Sequence, residues 1–316
     1  MIRVVAALVA VIVGGMASNA RADVHRLALI VGANHGGPAT ATLRFAERDA
    51  ERVAGLLAEL GGIAPANLTL LRGPTTADID AAFATIDQRA KSLRRNSQDR
   101  VVLVVYYSGH ADGVNLDLGS RGRYPFAELR RRVEASPSDV RIVFLDSCRS
   151  GGLTQEKGLG PGPSFQVALT DVLDASGAAY ITSSSASENA QEFVELGGSY
   201  FTHFLLSALR GAGDEDGNGV VSLTEAYRYA YGKTVAETVR TISGVQHPSY
   251  AWRLTGRGDV VLADLRTAAA ALTVQAGPGG AFLVIDERRR DVVAEVIAGP
   301  GQARRLALPA GSYLVG

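Results

Sequence analysis

Residues 101–107, Val-Val-Leu-Val-Val-Tyr-Tyr, run straight into Ser108-Gly109-His110-Ala111-Asp112. No charged residue interrupts the run, so neither face of a strand built from it belongs in water. Such a strand sits in the middle of a sheet that carries helices above and below. Residues 140–145, Val-Arg-Ile-Val-Phe-Leu, repeat the pattern and lead into Asp146-Ser147-Cys148-Arg149-Ser150-Gly151. In open parallel sheets the chemistry collects beyond the carboxyl ends of the central strands. Here those two ends carry an imidazole and the chain's single thiol.

Outward from these strands the chain alternates. Leu27–Gly32 reads as another buried strand. Leu43, Ala46, Ala50, Val53, Leu57 and Leu60 share a helix face that stops at Gly61-Gly62. Asn67–Leu71 is a short strand. Thr75 or Thr76 then caps a helix with Ile79, Phe83, Ile86, Ala90 and Leu93 on one side. A helix over Pro125–Ala135, a strand over Ala178–Thr182 and a helix over Tyr200–Leu209 complete the series. This alternation requires right-handed crossovers and predicts an α/β fold, a mostly parallel sheet with helices on both faces. Beyond Arg257 the character changes. Ala263–Ala271 reads as a linker or short helix, and short strands are expected at 272–275, 281–286, 292–297, 304–308 and 312–315. The expected division is a leader at 1–22, the main domain at 23–262, a linker at 263–272 and a small β-sandwich-like segment at 273–316.

Residues 1–22 have the form of a secretory signal peptide. Arg3 precedes the apolar run Val4–Val13, and Ala20-Arg21-Ala22 supplies a small-x-small cleavage pattern. The expectation is an exported protein with a mature chain starting at Asp23. The 316 residues carry 32 basic and 32 acidic side chains, a balance that argues against nucleic acid as a partner. No G-x-G-x-x-G or P-loop follows the first strand, so no nucleotide or other organic cofactor is expected. One cysteine excludes an internal disulfide and a Cys-cluster metal site. In an oxidising compartment that thiol is either an inert core residue or a reactive one. An imidazole at the corresponding end of a neighbouring strand points to reactivity, because His110 as base and Cys148 as nucleophile are what thiol catalysis requires.

Tyr106-Tyr107-Ser108-Gly109-His110 and Asp146-Ser147-Cys148-Arg149-Ser150-Gly151 resemble the two catalytic motifs of the caspase-like cysteine peptidases, closest to the metacaspase and bacterial branch. Gly32-Ala33-Asn34, the segment Leu43-Arg44 to Asp49-Ala50, and Ser183-Ser184-Ser185 add to the likeness, which spans roughly residues 25–255. The resemblance implies a cysteine endopeptidase acting on proteins or peptides. The backbone N–H groups of Ala111 and Cys148 would form the oxyanion hole. Ala111 departs from the family's usual Gly and adds a Cβ there. The family's pocket residue two before the nucleophile is Asp146, which implies cleavage after Arg or Lys, with Glu188 and Glu192 as candidate second acids. Arg149 is placed to lower the thiol pKa. Residues 150–164 are rich in Gly and Pro, and Lys157 is the candidate self-cleavage site.

Downstream, Asp214-Glu215-Asp216-Gly217-Asn218-Gly219-Val220-Val221-Ser222-Leu223-Thr224-Glu225 matches the EF-hand loop pattern. Its ligands for Ca2+ would be Asp214, Asp216, Asn218, the Val220 carbonyl, Ser222 and Glu225, flanked by helices at Phe201–Leu209 and Leu223–Tyr231. His25, His35, His203 and His247 read as structural. The rival reading is a non-catalytic caspase-like module that binds peptides or partners. The C-terminal β segment is in either case a candidate for contact with a cell-envelope partner.

Overall fold

The computed structural model describes residues 23–38, 40–153, 174–257, 259–275 and 277–316. The expected leader and Lys157 lie outside the described residues.

The first half lays down β1 (Val24–Ala33), α1 (Ala46–Glu59), β2 (Leu68–Arg72), α2 (Thr76–Leu93), β3 (Arg100–Ala111), the short pair β4 (Asn115–Asp117) and β5 (Arg123–Pro125), α3 (Phe126–Ala135) and β6 (Val140–Asp146). The second half adds β7 (Asp174–Thr182), the two-residue strands β8 (Glu192–Phe193) and β9 (Gly198–Ser199), α4 (Tyr200–Ser207), β10 (Val220–Ser222), α5 (Leu223–Thr238), β11 (Ser249–Arg257) and β12 (Val261–Asp264). The main sheet has the order β11-β7-β6-β3-β1-β2 and is parallel except for β11, which pairs antiparallel with β7. This is the expected α/β architecture, with the two chemistry-bearing strands side by side at its centre.

Alternation along β3 divides the core. Val102, Val104 and Tyr106 pack with Ile142 and Phe144 of β6 against α1, α4 and α5. Val101, Leu103, Val105 and Tyr107 pack against α2 and α3 on the opposite face. Each fully buried side chain of this size contributes about 1.5–3 kcal/mol. Thr75 caps α2 in a reciprocal box with Asp78, worth about 1 kcal/mol. Among the described residues no helix is long and apolar enough to cross a membrane.

One expectation needs correction. The stretch 263–272 is no linker: Ala263 and Leu265 are buried, β12 pairs with β10, and strand β13 (Ala270–Gln275) follows a single 3-10 turn. The C-terminal segment comprises β13 and β16 (Ala303–Leu308) facing a sheet of β14 (Gly280–Asp286), β15 (Asp291–Ala298) and β17 (Tyr313–Val315). This β-module is docked rather than tethered. Val292 and Ala307 join the main core, and Glu295 of β15 reaches Lys233 of α5 in a buried ion pair.

Candidate active site

The site grows out of sheet register. Ser108 of β3 and Asp146 of β6 form the last paired couple of the two strands. His110 and Cys148 each lie two residues beyond it, and both line one cleft with Leu43, Asp146, Ala190, Gln191 and Ser199. The sequence-derived pair is thus brought together at one edge of the sheet.

His110 is held by its far nitrogen, with Nε2 lying 2.8 Å from the carbonyl oxygen of Ala41. A carbonyl only accepts, so Nε2 carries the proton and Nδ1 is left with its lone pair. Gly36 makes this pose sterically feasible, since a Cβ there would lie 2.6 Å from Cδ2 of His110. Beyond the ring, Asp112 N–H donates to Asn115 at 3.1 Å, which makes Ala111/Leu116 a non-hydrogen-bonded couple of the β3–β4 ladder. The Ala111 N–H therefore turns away from β4.

Cys148 is half-buried on a tight turn. Arg149 after it adopts φ 54°, a left-handed conformation that costs a non-glycine residue about 1–2 kcal/mol. The turn is tied down elsewhere: Ser147 N–H donates to the Ser183 hydroxyl (3.2 Å), the Ser184 hydroxyl donates to Ser147 O (3.0 Å), and Arg149 N–H donates to Glu188 O (2.9 Å). The thiol faces the Ala190 carbonyl at 3.8 Å. Burial pushes the thiol above its ordinary pKa; the neighbouring Arg149 pulls it down, but not far enough to win. The resting group is a thiol, and its proton must be removed during any attack.

Asp146 continues the β6 row of Ile142 and Phe144 and so points to the α4 side. It is buried, accepting from the Ser199 hydroxyl and from Thr202 Oγ1 at 2.5 Å. Tyr106 then donates to Thr202 at 2.6 Å. Oδ1 of Asp146 has no hydrogen-bond partner among the described residues. Burial raises its pKa, opposed by the Ser199 and Thr202 hydroxyls. Glu192 also lines the cleft, but its carboxylate accepts the N–H groups of Arg44 and Phe45 (2.9–3.2 Å) at the head of α1. Glu188 is not among the cleft-lining residues. It binds the ring and backbone N–H of His247 at 2.7 and 2.8 Å, fastening two loops.

A caspase-domain family model matches residues 25–257. This chain belongs to the caspase-domain family. Its caspase domain is similar to metacaspase-4 of Arabidopsis thaliana, 30% identical over 151 residues that span 41% of this chain and 34% of the relative. The chain thus matches about a third of that relative's length. Caspase-1 from Spodoptera frugiperda superposes with a TM-score of 0.51 at 14% identity, covering 77% of this chain and 91% of the other. The structure titled pro-sf-caspase-1 gives 0.50 at 16%, covering 77% and 92%. At those identities the likeness speaks for the fold. The resemblance to caspase-like cysteine peptidases is borne out.

The caspase domain also holds an acid that motif reading passed over. Asp49 of α1 is 1% exposed and accepts the Ser199 N–H at 2.9 Å. Burial, reinforced by Asp146 and Glu192 and opposed by Arg52, pushes its carboxyl up to about 8. The signal was present in the sequence: Asp49 interrupts the apolar stripe of Ala46, Ala50 and Val53. Ala41 acts through its carbonyl, which leaves no trace in residue type. Gln246, fully buried, accepts from Gln191 N–H (3.0 Å) and donates to Ser183 O (2.7 Å), clamping the cleft wall to the nucleophile turn.

Away from the cleft, the EF-hand-like loop is wound as its sequence requires. Asp214 accepts from Asn218 and Gly219 N–H, both at 3.1 Å, and Glu225 caps α5 through Ser222 at 2.9 Å. Carboxylate oxygens of Asp214, Asp216 and Glu225 lie within 4.8 Å of one another, compatible with one hard cation. β10, the strand inside the loop, pairs with β12 in place of a second loop. α5 runs on to Thr238, beyond the expected Tyr231, and α4 ends at Ser207 in a π turn over Ala208–Ala212.

Proposed function

We propose that this chain is an exported cysteine endopeptidase that uses Cys148 and His110 and cleaves after basic residues. The observation that carries the reading is the shared cleft, with Cys148 on one strand end and His110, held through Nε2 by Ala41, on the next. In the reaction His110 Nδ1 takes the proton from Sγ as sulfur bonds to the scissile carbonyl carbon. The N–H groups of Cys148 and Ala111 receive the oxyanion. His110 returns the proton to the leaving amine, and water then releases the acid from the thioester, restoring Sγ–H. Asp146, with its unpartnered Oδ1, is the acceptor for the guanidinium or ammonium of the residue before the cut, a charge-assisted pairing. Asp49 stands two hydrogen bonds behind it, through Ser199, and adds negative charge once it ionises near pH 8. Asp214, Asp216, Asn218, the Val220 carbonyl, Ser222 and Glu225 would hold Ca2+, which supplies a fixed positive charge that locks the start of α5.

The test is an Arg-ended and an Asp-ended peptidyl acyloxymethyl ketone offered to wild type and Cys148→Ala, with and without calcium. Labelling of wild type alone, by the Arg probe, is expected. Labelling by the Asp probe in preference overturns the specificity, and no labelling by either overturns the peptidase.

A further inference from the structure

The β-module reaches the cleft by a continuous line of contacts. α1 presents Arg48 and Arg52 one turn apart toward β15. Arg48 pairs with Asp291, and Arg52 Nη2 donates to the carbonyl of Val292 at 2.9 Å. The other amino group of Arg52, Nη1, lies 3.8 Å from Oδ1 of Asp49. Neither atom has a hydrogen-bond partner among the described residues, so a guanidinium faces a carboxyl group across a buried gap. Gly198 closes that gap, since a Cβ on it would stand 2.5 Å from Asp49 Oδ1 and 3.0 Å from Arg52 Nη1. Oδ2 of Asp49 takes the Ser199 N–H, and the Ser199 hydroxyl goes to Asp146, which lines the cleft.

We propose that Arg52 is a positioning residue for the acidic wall of the cleft, and that the docked β-module holds it there and so sets how firmly the cleft grips a cationic side chain. The inference rests on the basic-residue preference proposed above. Its physical content is a contest over one charge. Asp49 is surrounded by groups that disfavour ionisation: the apolar core, Asp146 of β6 and Glu192 of β8. Tyr106 of β3 is a neutral neighbour, itself held protonated by burial and by Asp146 and Asp49. On α4, His203 is buried and driven down to about 3 by burial, Arg52 and Lys233, so it supplies no positive charge. Arg52 is the cation that favours the Asp49 carboxylate, and its guanidinium is aimed by a main-chain carbonyl of β15. If that aim is lost, the cleft has less negative charge at a given pH.

Benzamidine is the probe, titrated calorimetrically into full-length Cys148→Ala protein with Arg52 intact or changed to Met, between about pH 6 and pH 9.5. With Arg52, affinity is expected to climb with pH through about 8, where Asp49 ionises. With Arg52→Met the climb moves up by about a unit, so that binding near pH 8.5 is roughly two- to threefold weaker while the two proteins agree near pH 6. Arg52→Lys keeps the charge and should recover most of the difference. An equal loss at every pH marks Arg52 as merely structural and overturns the inference, as does unchanged binding. Should Arg52→Met fail to fold, Asp291→Asn, which loosens β15 from α1, carries the same expectation and the same refutation. Absence of benzamidine binding to the Arg52-containing protein instead overturns the acidic-cleft reading beneath it.

Discussion

The carbonyl oxygen of Ala41 sits 2.8 Å from Nε2 of His110 and so decides which nitrogen of the ring is basic. Nδ1 is the atom left to take a proton. Gln in place of His110 can still donate to Ala41 but cannot shuttle a proton. His110→Gln should lower kcat for an Arg-ended peptide about 10²–10⁴-fold, with alkylation of Cys148 by iodoacetamide retained at high pH. Steady-state kinetics alongside mass spectrometry of the alkylated protein checks both halves.

Gly36 lies against the His110 ring, and a methyl group there cannot be housed without moving it. Gly36→Ala is expected to leave the melting temperature within a few degrees and yet cut kcat about tenfold or more, because ångström misplacement of a catalytic base is costly. Full activity in this variant would show that the ring pose is not the working one.

The Cys148 thiol is raised by burial. A raised pKa means less thiolate at any given pH, so alkylation by a small neutral reagent should rise only well into the alkaline range. Arg149→Ala removes a neighbouring cation that lowers it and should shift the profile further up. A rate that is flat from neutral pH upward would contradict this.

Asp49 titrates at about 8 in the folded chain against an ordinary 3.8. The native state therefore keeps a proton that the unfolded chain has released, and stability is lost as pH rises through that window. Asp49→Asn keeps an acceptor for Ser199 without the charge. Urea denaturation should find it about 1–3 kcal/mol more stable than wild type near pH 8, and the two nearly equal near pH 4. The same substitution should weaken binding of basic peptides, so stability and grip move in opposite directions.

Glu225 serves α5 as a cap and stands beside Asp214 and Asp216. Millimolar calcium is expected to raise the melting temperature of wild type by several degrees and to do nothing for Glu225→Gln, as read by calorimetry. A shift of equal size in both would remove the cation from this loop.

The sheet was legible because residues 101–107 and 140–145 admit few alternatives to central strands, and their ends carry the only thiol with a histidine opposite. Sequence spacing also found the five short strands of the C-terminal β segment to within about two residues, but not β8 to β12 before it. It did not find where they dock. Arg48, Arg52 and Lys233 look like solvated charges on helix faces, and only the fold brings Asp291, Val292 and Glu295 to them. Glu188 has an unforeseen partner for the same reason: a carboxylate near the nucleophile in sequence is bound by a histidine almost sixty residues on. α5 runs past its expected end, through Gly232, where nothing lies within 4 Å of the place a Cβ would take.

β15 shows one side to its own sandwich and the other to α4 and α5. A boundary drawn after residue 262 would therefore strip a wall from the main domain and leave Lys233 only the more distant of its two carboxylate partners, Glu237. Anyone shortening this chain for expression would be dividing a shared core, and the fragment would meet solvent with a surface that used to be its interior.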